Sequence, residues 1–280
     1  MTILTKSIKE VKELLSKANR PVGLVPTMGA LHAGHISLIN ASKAENKTTV
    51  VSIFVNPLQF GPNEDLKSYP RDLEKDLEIC KGHNVDIIFA PPNEEYYPDE
   101  IKNNLIAPPE ELTEKLCGKF RKGHFSGVAT AVKRLFEIIQ PDNSYWGQKD
   151  LQQYYIIQWL IEKFNSQIKT TLRPTVREPT GLAYSSRNTQ LTENEKNIAA
   201  AIYKSLKLAK ENTKSGIFSI SKSVLESLIF LSQFPELKVE YFEARDKDRL
   251  EKVDDNKKNN LYYFIAVKIN NVRLIDNIEV

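Results

Sequence analysis

Short apolar runs alternate with amphipathic stretches over the first two-thirds of the chain, and the alternation predicts strands and helices in turn. Val22-Gly23-Leu24-Val25 and Thr49 to Val55 read as buried strands, as do Val85 to Phe89, Ser144-Tyr145-Trp146 and Gln167 to Leu172. Apolar runs of this length, rich in β-branched residues, suit strands covered on both faces. Between them the spacing predicts helices over His35 to Lys47, Asp72 to Lys81, Gly127 to Gln140 and Asp150 to Phe164. The third is the clearest: Val128, Ala131, Val132, Leu135, Ile138 and Ile139 recur at helical steps, and Pro141 stops it. This order predicts an α/β fold with a Rossmann-like, doubly wound parallel sheet.

The pattern changes after Pro174. Helices are predicted over Thr192 to Asn212 and Ser219 to Phe234, the first opened by the capping sequence Thr192-Glu193-Asn194-Glu195. Strands follow at Val239 to Ala244, Leu261 to Ile269 and Val272 to Ile275, the last two joined by an Asn270-Asn271 turn. These elements predict a second, smaller α+β domain at the C-terminal end. The expected boundary lies between Arg173 and Glu178, dividing the chain into residues 1–175 and 176–280.

Composition narrows the class. Hydrophobic residues make up 41% and charged residues 27%, as in an ordinary soluble protein. The 39 Lys and Arg against 36 Asp and Glu leave a formal charge of +3, too balanced to point to nucleic acid or a membrane surface. Basic and acidic residues are interleaved, as in Lys6 to Glu13, which reads as a solvated helix face. The two cysteines, Cys80 and Cys117, fit neither a disulfide framework nor a zinc site, so a reducing cytoplasm is expected. Met1 to Lys12 has no signal-peptide core, and no run approaches the ~18 apolar residues of a membrane span.

Five segments carry candidate chemistry. Met28-Gly29-Ala30-Leu31-His32-Ala33-Gly34-His35 follows the first predicted strand and opens the first helix. Ligands of doubly wound sheets bind beyond the carboxyl ends of strands, and helix N-termini favour anions. Gly29 and Gly34 let backbone approach a phosphate, and His32 and His35 offer two donors to its developing charge. The plainer alternative is turn glycines with capping or core histidines. Metal ligation lacks a third partner close in sequence.

Asn56 and Gln59 end the second strand and present uncharged amides suited to a hydroxylated carboxylic acid, or to an ordinary Asn-Pro turn. Lys119 to Val128 reads as a basic loop able to cover phosphates or position a carboxylate, or simply a solvated one. In Trp146 to Gln153, Lys149 is a phosphate-binding candidate and Asp150 a helix cap. In Leu182 to Asn188, two serines and Arg187 suit a linker that closes over a triphosphate, or a plain turn.

Together these segments resemble the pantothenate synthetases (pantoate–β-alanine ligases) of the HxGH nucleotidyltransferase superfamily. The resemblance also rests on Phe54 to Phe60, Tyr69-Pro70-Arg71, Gly123-His124-Phe125, Gly147-Gln148-Lys149-Asp150, Ser185 to Asn188 and the ending Arg273-Leu274-Ile275-Asp276-Asn277. It implies a Rossmann-like nucleotide- and pantoate-binding domain, a smaller C-terminal lid, a homodimer, and ATP with Mg²⁺. It implies that pantoate and ATP form pantoyl-adenylate and pyrophosphate, and that β-alanine then displaces AMP. Carried over by position, Met28 to His35 line the ATP site, His35 in the proton-donor place. Gly147, Gln148, Lys149, Asp150, Val176, Tyr184, Ser185, Ser186 and Arg187 match further ATP contacts. Gln59 and Gln153 match the pantoate-contacting glutamines, with Asn56 nearby, and Asp76 falls near the place of magnesium. Gln148 stands where Glu is usual, Tyr184 replaces a smaller apolar residue, and Lys75 stands where an acid or neutral residue is expected.

The chemistry so implied needs little acid–base work, because a carboxylate is already a nucleophile and pyrophosphate a fair leaving group. His32, His35, Lys149 and Arg187 are therefore expected to share charge with Mg²⁺. Two rivals stand beside it: a relative that leaves the nucleotide on its product, and a nucleotide- or RNA-binding module without catalysis. The absence of a basic-aromatic stripe speaks against RNA.

Overall fold

In the computed structural model, residues 2–255 and 259–280 are described; Met1, the start of the charged N-terminal stretch, lies outside them. By their contacts they divide into two compact units. One is residues 1–148 with 153–174, the other 149–152 with 175–280. Residues 149–152, expected in the first domain, thus cluster with the second unit.

The first unit carries strands β1 (Ile3–Thr5), β2 (Val22–Thr27), β3 (Thr48–Ile53), β4 (Ile87–Phe89), β5 (Asn143–Gly147) and β6 (Lys169–Arg173). All pair in parallel in the order β1-β4-β3-β2-β5-β6. The chain steps outward from β2 to β3 and β4, then returns to lay β5 on the other side of β2. The order therefore reverses between β2 and β5, the switch point at which such sheets open a crevice. Around the sheet run α1 (Ile8–Ser16), α2 (Ala33–Glu45) and α3 (Leu73–Gly82). Four short helices follow, α4 (Asn93–Tyr96), α5 (Asp99–Asn103), α6 (Glu110–Thr113) and α7 (Leu116–Phe120), and then α8 (His124–Ile139) and α9 (Leu151–Lys163).

Val25, Val51 and Ile88 pack with Leu38 and Ile39 of α2 and Cys80 of α3 in one buried cluster. Their neighbours Leu24, Val50 and Ile87 alternate to the other face and are buried as well, so both faces are covered. The predicted strands and helices of this unit are all present within a few residues. The three-residue β1 and the four short helices were not expected, because segments that short show no period.

The second unit holds α10 (Glu193–Ala199), α11 (Ala201–Lys214), α12 (Ile220–Leu231) and an antiparallel sheet of β7 (Leu237–Asp246), β8 (Leu261–Ile269) and β9 (Val272–Glu279). Thr192 caps α10 through the expected box with Glu195. The predicted Thr192 to Asn212 helix is divided at Ala200, whose backbone stays helical at φ −59° and ψ −21°. The Asn270-Asn271 turn joins β8 to β9, with Asn270 at φ 50°. Ile202, Leu206 and Ala209 of α11 and Ile220 and Leu231 of α12 bury against Tyr263, Ile265 and Leu274. Among the described residues no helix is long and apolar enough to cross a membrane.

Candidate active site

The first unit gathers its candidate residues at the carboxyl ends of β2, β3 and β5, neighbours in the sheet. After β2 the chain turns through Gly29 at φ 80° and Ala30 at φ 49°, both left-handed. Gly29 is required there on two counts. A side chain would be strained at that φ, and its Cβ would lie 2.9 Å from Asp76 Oδ2. The turn is held from α3: Asp76 accepts the backbone N–H of Ala30 at 2.9 Å and of Leu31 at 2.7 Å. The Asp76 side chain is buried, and burial pushes its carboxyl above the ordinary value against the pull of those two N–H donors.

His32 is the N-cap of α2. Its Nδ1 accepts the N–H of Gly34 at 3.1 Å, while His35 Nδ1 accepts the N–H of His32 at 3.4 Å, a reciprocal capping box built from imidazoles. The rings stack with centroids 4.0 Å apart. Acceptance at Nδ1 puts the proton of each neutral ring on Nε2, so each is a donor on the edge away from its cap. Capping and ligand binding, alternatives in the sequence, thus use different nitrogens of the same rings.

After β3, Asn56 is buried and fully committed within the protein. Its Oδ1 accepts from Leu58 N at 3.1 Å and Tyr97 OH at 2.9 Å; its Nδ2 donates to Gln59 Oε1 at 2.9 Å and Gly127 O at 3.1 Å. With every amide site used, Asn56, expected near the substrate, orients Gln59. Gln59 Nε2 reaches Met28 Sδ at 3.1 Å, joining the β3 loop to the β2 loop. In the expected basic loop, two residues bind protein groups. Arg121 pairs with Glu64, and buried His124 bonds the Gln59 carbonyl through Nδ1 at 2.8 Å, so both hold the Gln59 loop. Gly147 ends β5 and Gln148 follows it, and a Cβ on Gly147 would meet nothing within 4 Å, so packing does not demand glycine there. Gln153 sits partly buried in the first turn of α9.

The second unit carries the remaining candidates. Lys149 pairs with Asp150 at 3.1 Å. Val176 and Tyr184 belong to a small hairpin closed by Tyr184 N to Val176 O at 3.1 Å and by an Arg177–Ala183 bridge. Beyond it Ser185 caps a short 3₁₀ turn, Ser186–Gln190, by accepting the N–H of Arg187 at 3.3 Å. The sequence reading gave no task to Arg177 or Asp276, although the resemblance had singled out Asp276 and Asn277.

Among the described residues no three His, Cys, Asp or Glu side chains are grouped to hold an ion, and both Asp76 oxygens already accept backbone N–H groups. Asp76, expected near the place of magnesium, sits under the His32 loop and holds its turn.

A family model described as Pantoate-beta-alanine ligase matches residues 3–279. A pantothenate synthetase of Coprothermobacter proteolyticus is 45% identical over 99% of this chain and 98% of its own length. One from a Sulfurihydrogenibium species is 48% identical over 95% and 94%. The crystal structure of the Thermus thermophilus enzyme superposes with a TM-score of 0.94 at 36% identity, covering 100% of this chain and 99% of that one. The pantoate–β-alanine ligase of Francisella tularensis, crystallised with β,γ ATP and β-alanine, does so at 0.83 and 36%, covering 100% and 98%. With a family match spanning nearly the whole chain and relatives this similar over their full length, the chain belongs to the pantoate–β-alanine ligase family.

Proposed function

We propose that this chain condenses pantoate with β-alanine to pantothenate at the expense of ATP. The pantoate carboxylate attacks the α-phosphorus of ATP, the bond to pyrophosphate breaks, and pantoyl-adenylate remains. The amine of β-alanine then attacks the acyl carbon, AMP leaves, and the amine's proton is released. The observation that carries this reading is the imidazole pair at the head of α2, each ring accepting a backbone N–H at Nδ1 and so leaving Nε2 as its donor. Two neutral donors on a helix N-terminus suit charge growing on phosphate oxygens, where a general base is unnecessary.

The roles follow. Met28 to His35, Gly147, Gln148, Lys149, Asp150, Val176, Tyr184, Ser185, Ser186 and Arg187 bind ATP. His32, His35, Lys149 and Arg187 stabilise the charge that grows on the phosphate oxygens during adenylyl transfer, His35 acting as a hydrogen-bond donor rather than a proton shuttle. Gln59 and Gln153 orient pantoate. Magnesium comes with the nucleotide, held mainly by phosphate oxygens and water, as is usual for this ion. A homodimer and a cytoplasmic location belong to the same proposal and rest on the resemblance.

The test is to incubate the protein with ATP, Mg²⁺ and pantoate, then add β-alanine. Pantoate-dependent ATP–pyrophosphate exchange is expected first, and AMP release only after the amine. A nucleotide retained on the final product would reassign the chain to nucleotidyl transfer, and no exchange with any added acid would remove the catalytic reading.

A further inference from the structure

The last strand carries Asp276 and Asn277, buried at 3% and 1% exposure, and neither has a part in the chemistry described above. Their contacts within the second unit are specific. Asn277 Nδ2 donates to the backbone carbonyl of Lys149 at 3.0 Å, across 128 residues of chain. Asp276 receives both ends of the Arg177 guanidinium, at 2.5 and 3.0 Å, and its Oδ1 also accepts the N–H of Asn277 at 2.8 Å. Arg177 lies 3.7 Å from the centroid of the Tyr203 ring and donates to Gly181 O at 3.2 Å, inside the hairpin that leads to Ser185. From the hairpin, Glu178 and the Ala183 carbonyl accept from Asn188 at 2.8 and 3.1 Å, just past Arg187.

Hydrogen bonds, together with the backbone of the 177–183 hairpin, thus link the Lys149 peptide to the turn bearing Ser185, Ser186 and Arg187. A buried amide or carboxylate is costly unless its bonds are made, and a half-satisfied network is worse than none. Such a network selects a single arrangement of the segments it joins. Apolar packing could hold β9 to α11 without specifying where the Lys149 carbonyl lies.

We infer that Asp276 and Asn277 are positioning residues, which fix the Lys149 peptide and the Ser185–Arg187 turn in one register so that ATP meets a prearranged set of donors. The inference rests on the proposed phosphate-binding role of Lys149 and Arg187. Lys149 has a long flexible stem, so its ammonium is well placed only if its backbone is. The charge of Lys149 is also felt by the Asp276 carboxylate, so the network and the phosphate-binding group are electrostatically linked.

The test uses the full chain with Asn277→Asp, which keeps the shape but turns an oxygen toward the Lys149 carbonyl, and Asn277→Ser, which removes the donor without adding charge. KM and kcat are read in pantoate-dependent ATP–pyrophosphate exchange, MgATP affinity by calorimetry, and folding by thermal unfolding. Positioning predicts that KM for ATP rises about tenfold or more while KM for pantoate stays near wild type, since misplacing a binding group costs on this scale. In a Lys149→Ala background the same change should add almost nothing, because the two act as one unit. Wild-type KM and kcat in a folded Asn277→Ser protein would overturn the inference, as would a lowered melting temperature with both KM values unchanged, or additive effects with Lys149→Ala. If Asn277→Asp fails to fold, Asn277→Ser carries the same comparison. A wild-type protein inactive in exchange would count against the proposed function, and the positioning would then stand or fall on MgATP affinity.

Discussion

Asp76 accepts the backbone N–H of Leu31 at 2.7 Å although 45 residues separate them, and so a side chain of α3 sets the turn that delivers His32 to the head of α2. In Asp76→Asn one oxygen becomes an N–H₂ group facing a backbone N–H, and one buried donor loses its acceptor. The expected cost is about 1–3 kcal/mol of stability, with a matching fall in the pantoate-dependent exchange rate. Unchanged unfolding and exchange would show the turn holding its shape without this carboxylate.

His32 and His35 use Nδ1 for capping, which allows the cap to be separated from the chemistry. Asparagine is a good N-cap and presents no Nε2–H. His32→Asn should therefore unfold close to wild type while exchange drops, by ~10²–10³-fold if one charge-stabilising donor is lost. His35→Ala should fall on the same scale and lose some helix stability as well. Near-normal exchange in either variant would remove that imidazole from the proposed site.

Gly127 lets α8 approach the Gln59 loop. A Cβ there would come within 2.2 Å of Leu58 O and 2.6 Å of Gln59 N, both backbone atoms that cannot swing aside. Gly127→Ala should push the loop away, weaken the Asn56 bond to Gly127 O, and raise KM for pantoate more than KM for ATP. Equal KM values for the variant and wild type in steady-state kinetics would argue that Gln59 does not orient pantoate.

Glu240 bridges Lys268 at 3.1 Å and Arg273 at 2.8 Å on the second unit's sheet. Burial alone would raise its carboxyl, but the two cations outweigh that and hold it below the ordinary value of 4.5. A carboxylate with a lowered folded value stabilises the fold at all pH above its ordinary value, and the contribution is lost as pH falls through the folded one. With Lys268 half exposed and partly screened, Glu240→Gln should cost about 1–2 kcal/mol at neutral pH. The gap from wild type should close in urea unfolding once the pH drops below the carboxylate range. A gap that stayed constant into strong acid would show that the loss was packing rather than charge.

Much of this molecule is legible along the chain because local sequence carries it. The apolar runs at Val22 to Val25 and Thr49 to Ile53 are buried on both faces, so their pattern alone marks parallel strands. The capping box at Thr192 and Glu195 and the turn at Asn270 are likewise set by residues three or fewer apart. The His32-x-Gly34-His35 spacing points to a helix head with two donors. Which nitrogen caps and which faces outward depends on backbone direction, and that emerges only on folding.

What tertiary structure decided is the division of labour among polar groups. In the sequence Asn56 and Gln59 were equivalent amides; Tyr97 and Gly127, arriving from elsewhere, saturate Asn56 and leave it to aim Gln59. Asp76, expected near magnesium from the sequence, is engaged through both oxygens by the Ala30–Leu31 turn. Periodicity determines which residues are buried, because burial follows the local repeat of helix and strand. Hydrogen-bond partners determine what a buried polar group does, and those partners come from distant parts of the chain that only the folded topology brings within about 3 Å.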